Sequence, residues 1–229
     1  LFCLKMPLFV KKKLGETPLE VVNKYRVDKE KTSYAGRLDP MARGEMIILK
    51  GNECKTQDNY CNLNKTYQFQ ILFGFSSDTY DIMGISKNYM KNYNIDKIEK
   101  KIEKFNQNLN RYFGQFEQYY PPYSSIIVKK QPLWWWSREG RINEVDIPFK
   151  NIEIYDLKLL GSLEINNLLD NILGKLDTLN PERREDFRIP KIIETWNSNL
   201  ENYNLSTVIY EYEAKVSSGT YIRSLVNRI

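Results

Sequence analysis

The chain has 229 residues, enough to bury a sizeable core as one large domain or two small ones. Its 34 Lys plus Arg against 29 Asp plus Glu leave a net charge of +5, a mild basic excess that suits a polyanionic partner. Histidine is absent, which excludes a Ser-His-Asp triad, a Cys-His dyad and His-bearing metal sites, so acid-base work falls to carboxylates, Lys or Tyr. The three cysteines, Cys3, Cys54 and Cys61, show no CxxC spacing and indicate neither a disulfide framework nor a zinc site, as expected of a reducing compartment, the cytoplasm or an organelle. An aromatic content of 13% serves either core packing or stacking on bases.

The opening residues 1–14 are apolar but interrupted by Lys5, Lys11, Lys12 and Lys13. They read as a strand over 7–14 and not as a signal peptide or membrane span. Gly15-Glu16-Thr17-Pro18 then turns into a helix, with Thr17 as N-cap, Pro18 in the first turn, and Leu19, Val22 and Tyr25 facing the core. Half-buried strands are predicted at 46–49 and 67–75, with Gly74 opening a polar loop, 76–81, that holds two acids. Ile95, Ile98, Ile102, Phe105 and Leu109 recur at helical spacing and predict an amphipathic helix over 94–113 with a solvated Lys-rich face. Pro121-Pro122 breaks regular structure ahead of a strand at 125–128, and further strands follow at 145–149 and 152–160. Between 162 and 204 the chain turns charged and helical, with breaks at Pro181 and Pro190, and strand character returns at 207–217. The expected architecture is therefore one mixed α+β domain, its sheet largely antiparallel with flanking helices, decorated by a helical insertion at 162–204.

Within this frame Gly36-Arg37-Leu38-Asp39-Pro40-Met41-Ala42-Arg43 isolates one carboxylate. Pro40 biases Asp39 toward an extended or turn conformation, and the flanking Gly36 and Gly44 allow tight bends. Such a loop is either an ordinary Asp-Pro turn or a carboxylate presented to a cleft.

Read together and in order, Leu14-Gly15-Glu16-Thr17-Pro18, the segment from Tyr34 to Gly44, Lys65-Thr66-Tyr67, Phe73-Gly74 through Asp78-Thr79-Tyr80-Asp81 to Gly84, Pro121-Pro122-Tyr123-Ser124-Ser125 and Ser218-Gly219-Thr220-Tyr221-Ile222-Arg223 resemble the TruB family of RNA pseudouridine synthases. The resemblance implies a pseudouridine synthase fold with a cleft for the T-stem-loop of tRNA. It also implies isomerisation of the T-loop uridine at position 55, in which the C1′–N1 bond is exchanged for C1′–C5 without cofactor or metal. The expected partner is thus tRNA, with a monomeric protein and no membrane. By the same resemblance Asp39 matches the catalytic aspartate, Arg223 an arginine that pairs with that carboxylate, and Tyr67 a tyrosine that stacks on the flipped uracil and serves proton transfer at C5. Lys65, Arg37 and Arg43 become candidate phosphate contacts or plain surface charges. Asp78 and Asp81 cap turns or meet base edges, and Tyr123 closes the pocket floor or simply packs.

The chain departs from the family pattern at several positions. Tyr34-Ala35-Gly36 stands in place of His-Thr-Gly, so Tyr34 is the expected stacking ring. Ile127 replaces a lysine, Lys130 a glycine and Lys13 a proline. The family's C-terminal RNA-binding extension is not visible, and a chain that begins at Leu1 and stops at Ile229 reads as a fragment. Other readings are an RNA-binding or tRNA-folding protein without turnover, a synthase acting on another RNA, and a carboxylate-pair glycoside hydrolase using Asp39 with Asp78 or Asp81. Arg183, Arg184 and Arg188 in the insertion either widen RNA contact or belong to a segment that covers a sheet edge.

Overall fold

A computed structural model describes residues 6–90, 95–201 and 207–229. The chain separates into two compact units, one formed by residues 1–63 and 170–189, the other by 64–169 and 190–229. Cys3 and Asn94 lie outside the described residues.

The first unit is built on a three-stranded antiparallel sheet in the order β1-β3-β2, with β1 at Leu8–Lys12, β2 at Thr32–Ala35 and β3 at Gly44–Lys50. Helix α1, Pro18–Tyr25, starts where the Thr-x-x-Glu pattern directs it. The Thr17 hydroxyl accepts from the Glu20 amide while the Glu20 carboxylate accepts from the Thr17 amide, a complete capping box. That box sets the helix phase, and the residues turned inward are Val21 and Val22, whereas Leu19 is 54% exposed and Tyr25 is exposed as well. The expectation that Leu19 and Tyr25 face the core is therefore corrected. Val10, Val21, Val22, Met46 and Ile48 form the core here, with Tyr34 and Leu38 packed on its margin. A short helix α2, Gln57–Cys61, closes the segment.

The second unit carries a four-stranded antiparallel sheet, β4-β11-β10-β7. Its strands are β4 (Lys65–Ile71), β7 (Gly114–Tyr119), β10 (Phe149–Ile165) and β11 (Thr207–Val216). Two hairpins complete it, β5 (Phe75–Ser77) with β6 (Ser86–Asn88) and β8 (Ile127–Val128) with β9 (Gln131–Pro132). One sheet face buries Ile71, Ile152, Ile154, Leu157, Tyr212, Ala214 and Val216. Phe105 of α3 (Ile95–Asn106), and Leu225 and Ile222 of α7 (Ile222–Arg228), pack against them. Fully burying each such aliphatic side chain stabilises the fold by about 1.5–3 kcal/mol. The opposite face is polar, with Gln68 and Lys158 both bonded to Glu213 and Gln70 to Glu211.

Several predicted boundaries shift. Strand β4 stops at Ile71, ahead of the turn at Gly74. The helix predicted over 94–113 ends at Asn106, because the Asn108 amide takes the Lys104 carbonyl at 2.7 Å and the chain tightens into a 3-10 turn at Leu109–Tyr112. The two strands expected at 145–149 and 152–160 are a single strand, β10, bent by irregularities at Ile154/Asp156 and Leu159/Gly161. Residues 145–148 stay outside it, since Pro148 has no N–H to donate and Val145 packs instead with Leu133 and Trp136 of α4 (Leu133–Arg138). The expected helical insertion begins later than 162, because β10 runs to Ile165. It holds α5 (Leu168–Leu176) and α6 (Ile189–Leu200), and Pro190 sits in the first turn of α6, where no helical bond is lost, instead of breaking it. The strand expected at 125–128 is reduced to the two residues of β8.

Candidate active site

In the first unit, β2 and β3 are joined by the loop that holds Asp39. Gly36 opens it at φ +88°, a left-handed angle that favours glycine, although a Cβ there would meet nothing closer than 3.7 Å. The Ala42 amide donates to the Asp39 carbonyl at 2.9 Å and closes a turn across Pro40. The Gly15 amide donates to the Pro40 carbonyl at 2.9 Å. Beneath the loop lies Lys12, only 1% exposed, a residue to which the sequence assigns no role. Its ammonium donates to the carbonyls of Ala42 at 2.5 Å, Lys13 at 3.0 Å and Pro40 at 3.3 Å. Burial pulls its pKa down to about 8, against the opposing influence of Glu16, Asp39 and Glu20. A charged amine buried this way satisfies three carbonyls at once, so the loop is braced through its main chain.

Asp39 itself is half-buried, while Arg37 and Arg43 are exposed on either side. The Arg37 guanidinium approaches the Tyr34 hydroxyl at 3.4 Å. Tyr34 is half-buried at the margin of the unit's core, and its carbonyl accepts from the Gln57 amide at 2.9 Å.

In the second unit, the β5–β6 hairpin tip brings together Asp78, Asp81, Tyr123 and Arg223. Asp78 accepts from the Ile85 amide at 2.8 Å with one oxygen and from the Tyr123 hydroxyl at 3.1 Å with the other. Asp81 accepts from the Met83 amide at 2.9 Å and the Thr79 hydroxyl at 2.7 Å, and its second oxygen lies 3.6 Å from Arg223 Nε. The tip is compact enough that a Cβ on Gly84 would stand 2.7 Å from both Asp78 Oδ1 and Ser77 Cβ, which requires glycine there. Arg223 occupies the first turn of α7. It donates to the Thr79 carbonyl at 2.7 Å and reaches the Tyr123 carbonyl at 3.5 Å, so two planar edges of the guanidinium are oriented by main-chain oxygens. Buried Gln118 holds the start of α7 by accepting from the Tyr221 amide at 2.7 Å and donating to its carbonyl at 3.1 Å, a role with no signal in the sequence.

Tyr67 lies on β4 opposite Ala214, half-buried against the sheet core, and Lys65 starts the same strand opposite Val216. At the β8–β9 turn, Lys129 and Lys130 both take positive φ, +47° and +69°. Lys130, standing where the family pattern has glycine, keeps a left-handed conformation that costs a side-chain-bearing residue about 1–2 kcal/mol. In the insertion, Arg183 pairs with Asp186 at 2.8 Å and Arg184 with Asp177 at 3.0 Å. No helix of the described residues is long and apolar enough to cross a membrane.

The chain is similar to known proteins. The model of the TruB family pseudouridylate synthase (N terminal domain) matches residues 24–170. The chain is 30% identical over 238 residues to tRNA pseudouridine synthase 4 of Saccharomyces cerevisiae, covering 89% of this chain and 57% of that protein. It is 28% identical over 221 residues to tRNA pseudouridine synthase B of Aquifex aeolicus, covering 95% of this chain and 60% of the relative. It thus spans about three-fifths of the length of these relatives. With the family match running from within α1 through β10 and into α5, across the braced Asp39 loop and the Asp78–Asp81 tip alike, the chain belongs to the TruB family of pseudouridylate synthases.

Proposed function

We propose that residues 1–229 form the catalytic domain of a pseudouridine synthase that isomerises the T-loop uridine of tRNA, position 55, in a reducing compartment. The reaction breaks C1′–N1, turns the ring, forms C1′–C5, removes the hydrogen at C5 and returns a proton to N1, so it balances without any co-reactant. Asp39 supplies the carboxylate that acts at the sugar or ring. Tyr67 supplies a flat ring for the flipped uracil and a hydroxyl for the proton at C5. Arg223 supplies a charge that persists at any working pH. Tyr34, Arg37, Arg43 and Lys65 are candidate RNA contacts, and Asp78, Asp81 and Tyr123 shape the site loop.

The observation that supports this reading best is the family match over residues 24–170, which takes in the 36–43 loop that Lys12 braces through main-chain carbonyls. A loop base costs a few kcal/mol to unstack, which phosphate contacts offset. The deciding measurement is pseudouridine formation at single-nucleotide resolution on an unmodified tRNA transcript, comparing the protein with Asp39→Asn. Product at the T-loop uridine from the unchanged protein alone supports chemistry and target together. Binding without product from either protein overturns the enzyme and leaves an RNA-binding protein.

A further inference from the structure

We propose that helix α6, part of the segment the sequence reads as an insertion, is a positioning element for Arg223, acting through Trp196 and Asn199 on the β5–β6 loop. The inference rests on the functional reading above.

A hairpin with three residues in each strand is marginal by itself in water, so the shape of its tip depends on what it packs against. Helix α6 engages it at strand and tip together. The Trp196 ring lies against Phe75 at 5.7 Å between centroids, and its indole N–H donates to the Ile82 carbonyl at 3.1 Å. The Asn199 amide donates to the Ser86 carbonyl at 2.8 Å, and the Asn199 carbonyl accepts from the Asn88 amide at 2.9 Å. Trp196 is 3% exposed and Ser86 5%, so these bonds are shielded from competing water. The tip placed by these contacts is the one whose Thr79 carbonyl and Asp81 carboxylate orient the Arg223 guanidinium.

The competing role, RNA contact, has little support on this helix. Its charged residues are Lys191 and Glu194, bonded to each other at 2.9 Å, so it offers phosphates no net attraction. A positioning role also explains why Thr195, Trp196 and Asn199 bond the hairpin while the other polar side chains of α6 face solvent.

The test uses Trp196→Phe, which keeps a ring but removes the N–H, and Asn199→Ala as a second variant should the first fail to fold. Single-turnover pseudouridine formation, RNA affinity and amide exchange at Met83 and Ile85 are measured together. The expected result is a loss of about tenfold in rate with affinity changed less than about twofold, and amide exchange about tenfold faster at Met83 and Ile85. In an Arg223→Lys background the same change then costs less than about twofold, because it acts through that guanidinium. A loss of affinity that accounts for the rate loss, a full additive effect in the Arg223→Lys background, or unchanged exchange at both amides overturns the proposal. If the unchanged protein makes no pseudouridine on the transcript, the functional reading falls first. Exchange at Met83 and Ile85 then decides alone whether α6 shapes the loop.

Discussion

The loop between β2 and β3 is braced from its main chain, by Lys12 and the Gly15 amide on the carbonyls of Pro40 and Ala42. The loop between β5 and β6 is braced from its carboxylates, with Asp78 and Asp81 taking up amides, hydroxyls and a guanidinium. Both are short and aspartate-bearing, the first with one acid between two arginines and the second with two acids. The difference lies in what each aspartate is required to do. A carboxylate that caps a turn can be replaced only at a cost to the loop, whereas the Lys12 and Gly15 bonds to the first loop end on main-chain carbonyls and remain when Asp39 is changed, although its charge also acts on the Lys12 ammonium. This contrast makes Asp39 the residue to test for chemistry and Asp78 and Asp81 the residues to test for architecture.

The largest effect expected is the loss of pseudouridine in Asp39→Asn, to roughly a thousandth of the parent rate or less, while the Lys12 bonds to the loop remain. Stability of that variant, followed by urea unfolding, separates chemistry from folding.

Asp81→Asn attacks the other loop. It removes the carboxylate charge 3.6 Å from Arg223 Nε and weakens the acceptor for Met83 and Thr79. Unfolding in urea should report a loss of about 2–3 kcal/mol, with activity reduced as well. A loss below about 0.5 kcal/mol would mean the two loops do not differ in the way described.

Lys12→Met sharpens the comparison from the side of the first loop, leaving three carbonyls without their ammonium. Its cost should vary with pH in a defined direction. The folded pKa of Lys12 is lowered to about 8 from 10.5, so between those values the unfolded chain holds more protons at this residue than the folded one. Stability contributed through Lys12 therefore rises as pH increases from about 8 to 10.5. The difference in unfolding free energy between parent and Lys12→Met should shift in favour of the parent across that window and stay flat below it.

The smallest effect concerns a third turn. Lys130→Gly removes the side chain from a residue at φ +69° and should stabilise the protein by about 0.5–1 kcal/mol, raising the melting temperature by roughly 1–4 °C. A destabilised variant would show that the Lys130 side chain makes a contact worth more than the backbone strain.

Much of the first loop's setting was legible beforehand. Thr17 and Glu20 stand at capping-box spacing, and the box forms as that spacing dictates. The apolar run Met46–Leu49 marks β3, and Gly36, Asp39 and Pro40 mark the loop that precedes it. By contrast, Lys11, Lys12 and Lys13 are indistinguishable along the chain, yet only Lys12 faces inward, since alternation along β1 turns Val10 and Lys12 to the same side. Trp196 likewise reads as an apolar residue of an insertion, and its bond to the Ile82 carbonyl joins positions separated by 114 residues.

The sequence by itself determined which residue types were available for acid-base chemistry, because a histidine-free chain must use carboxylates, lysines or tyrosines. It also determined where local signals act, in caps, glycine turns and strand alternation, whose energies depend on near neighbours. The tertiary structure alone decided which lysine is buried, which aspartates become structural ligands and which helix supports the Arg223 loop. Those outcomes depend on desolvation and on hydrogen bonds between distant segments, and such terms have no value until the chain has closed on itself.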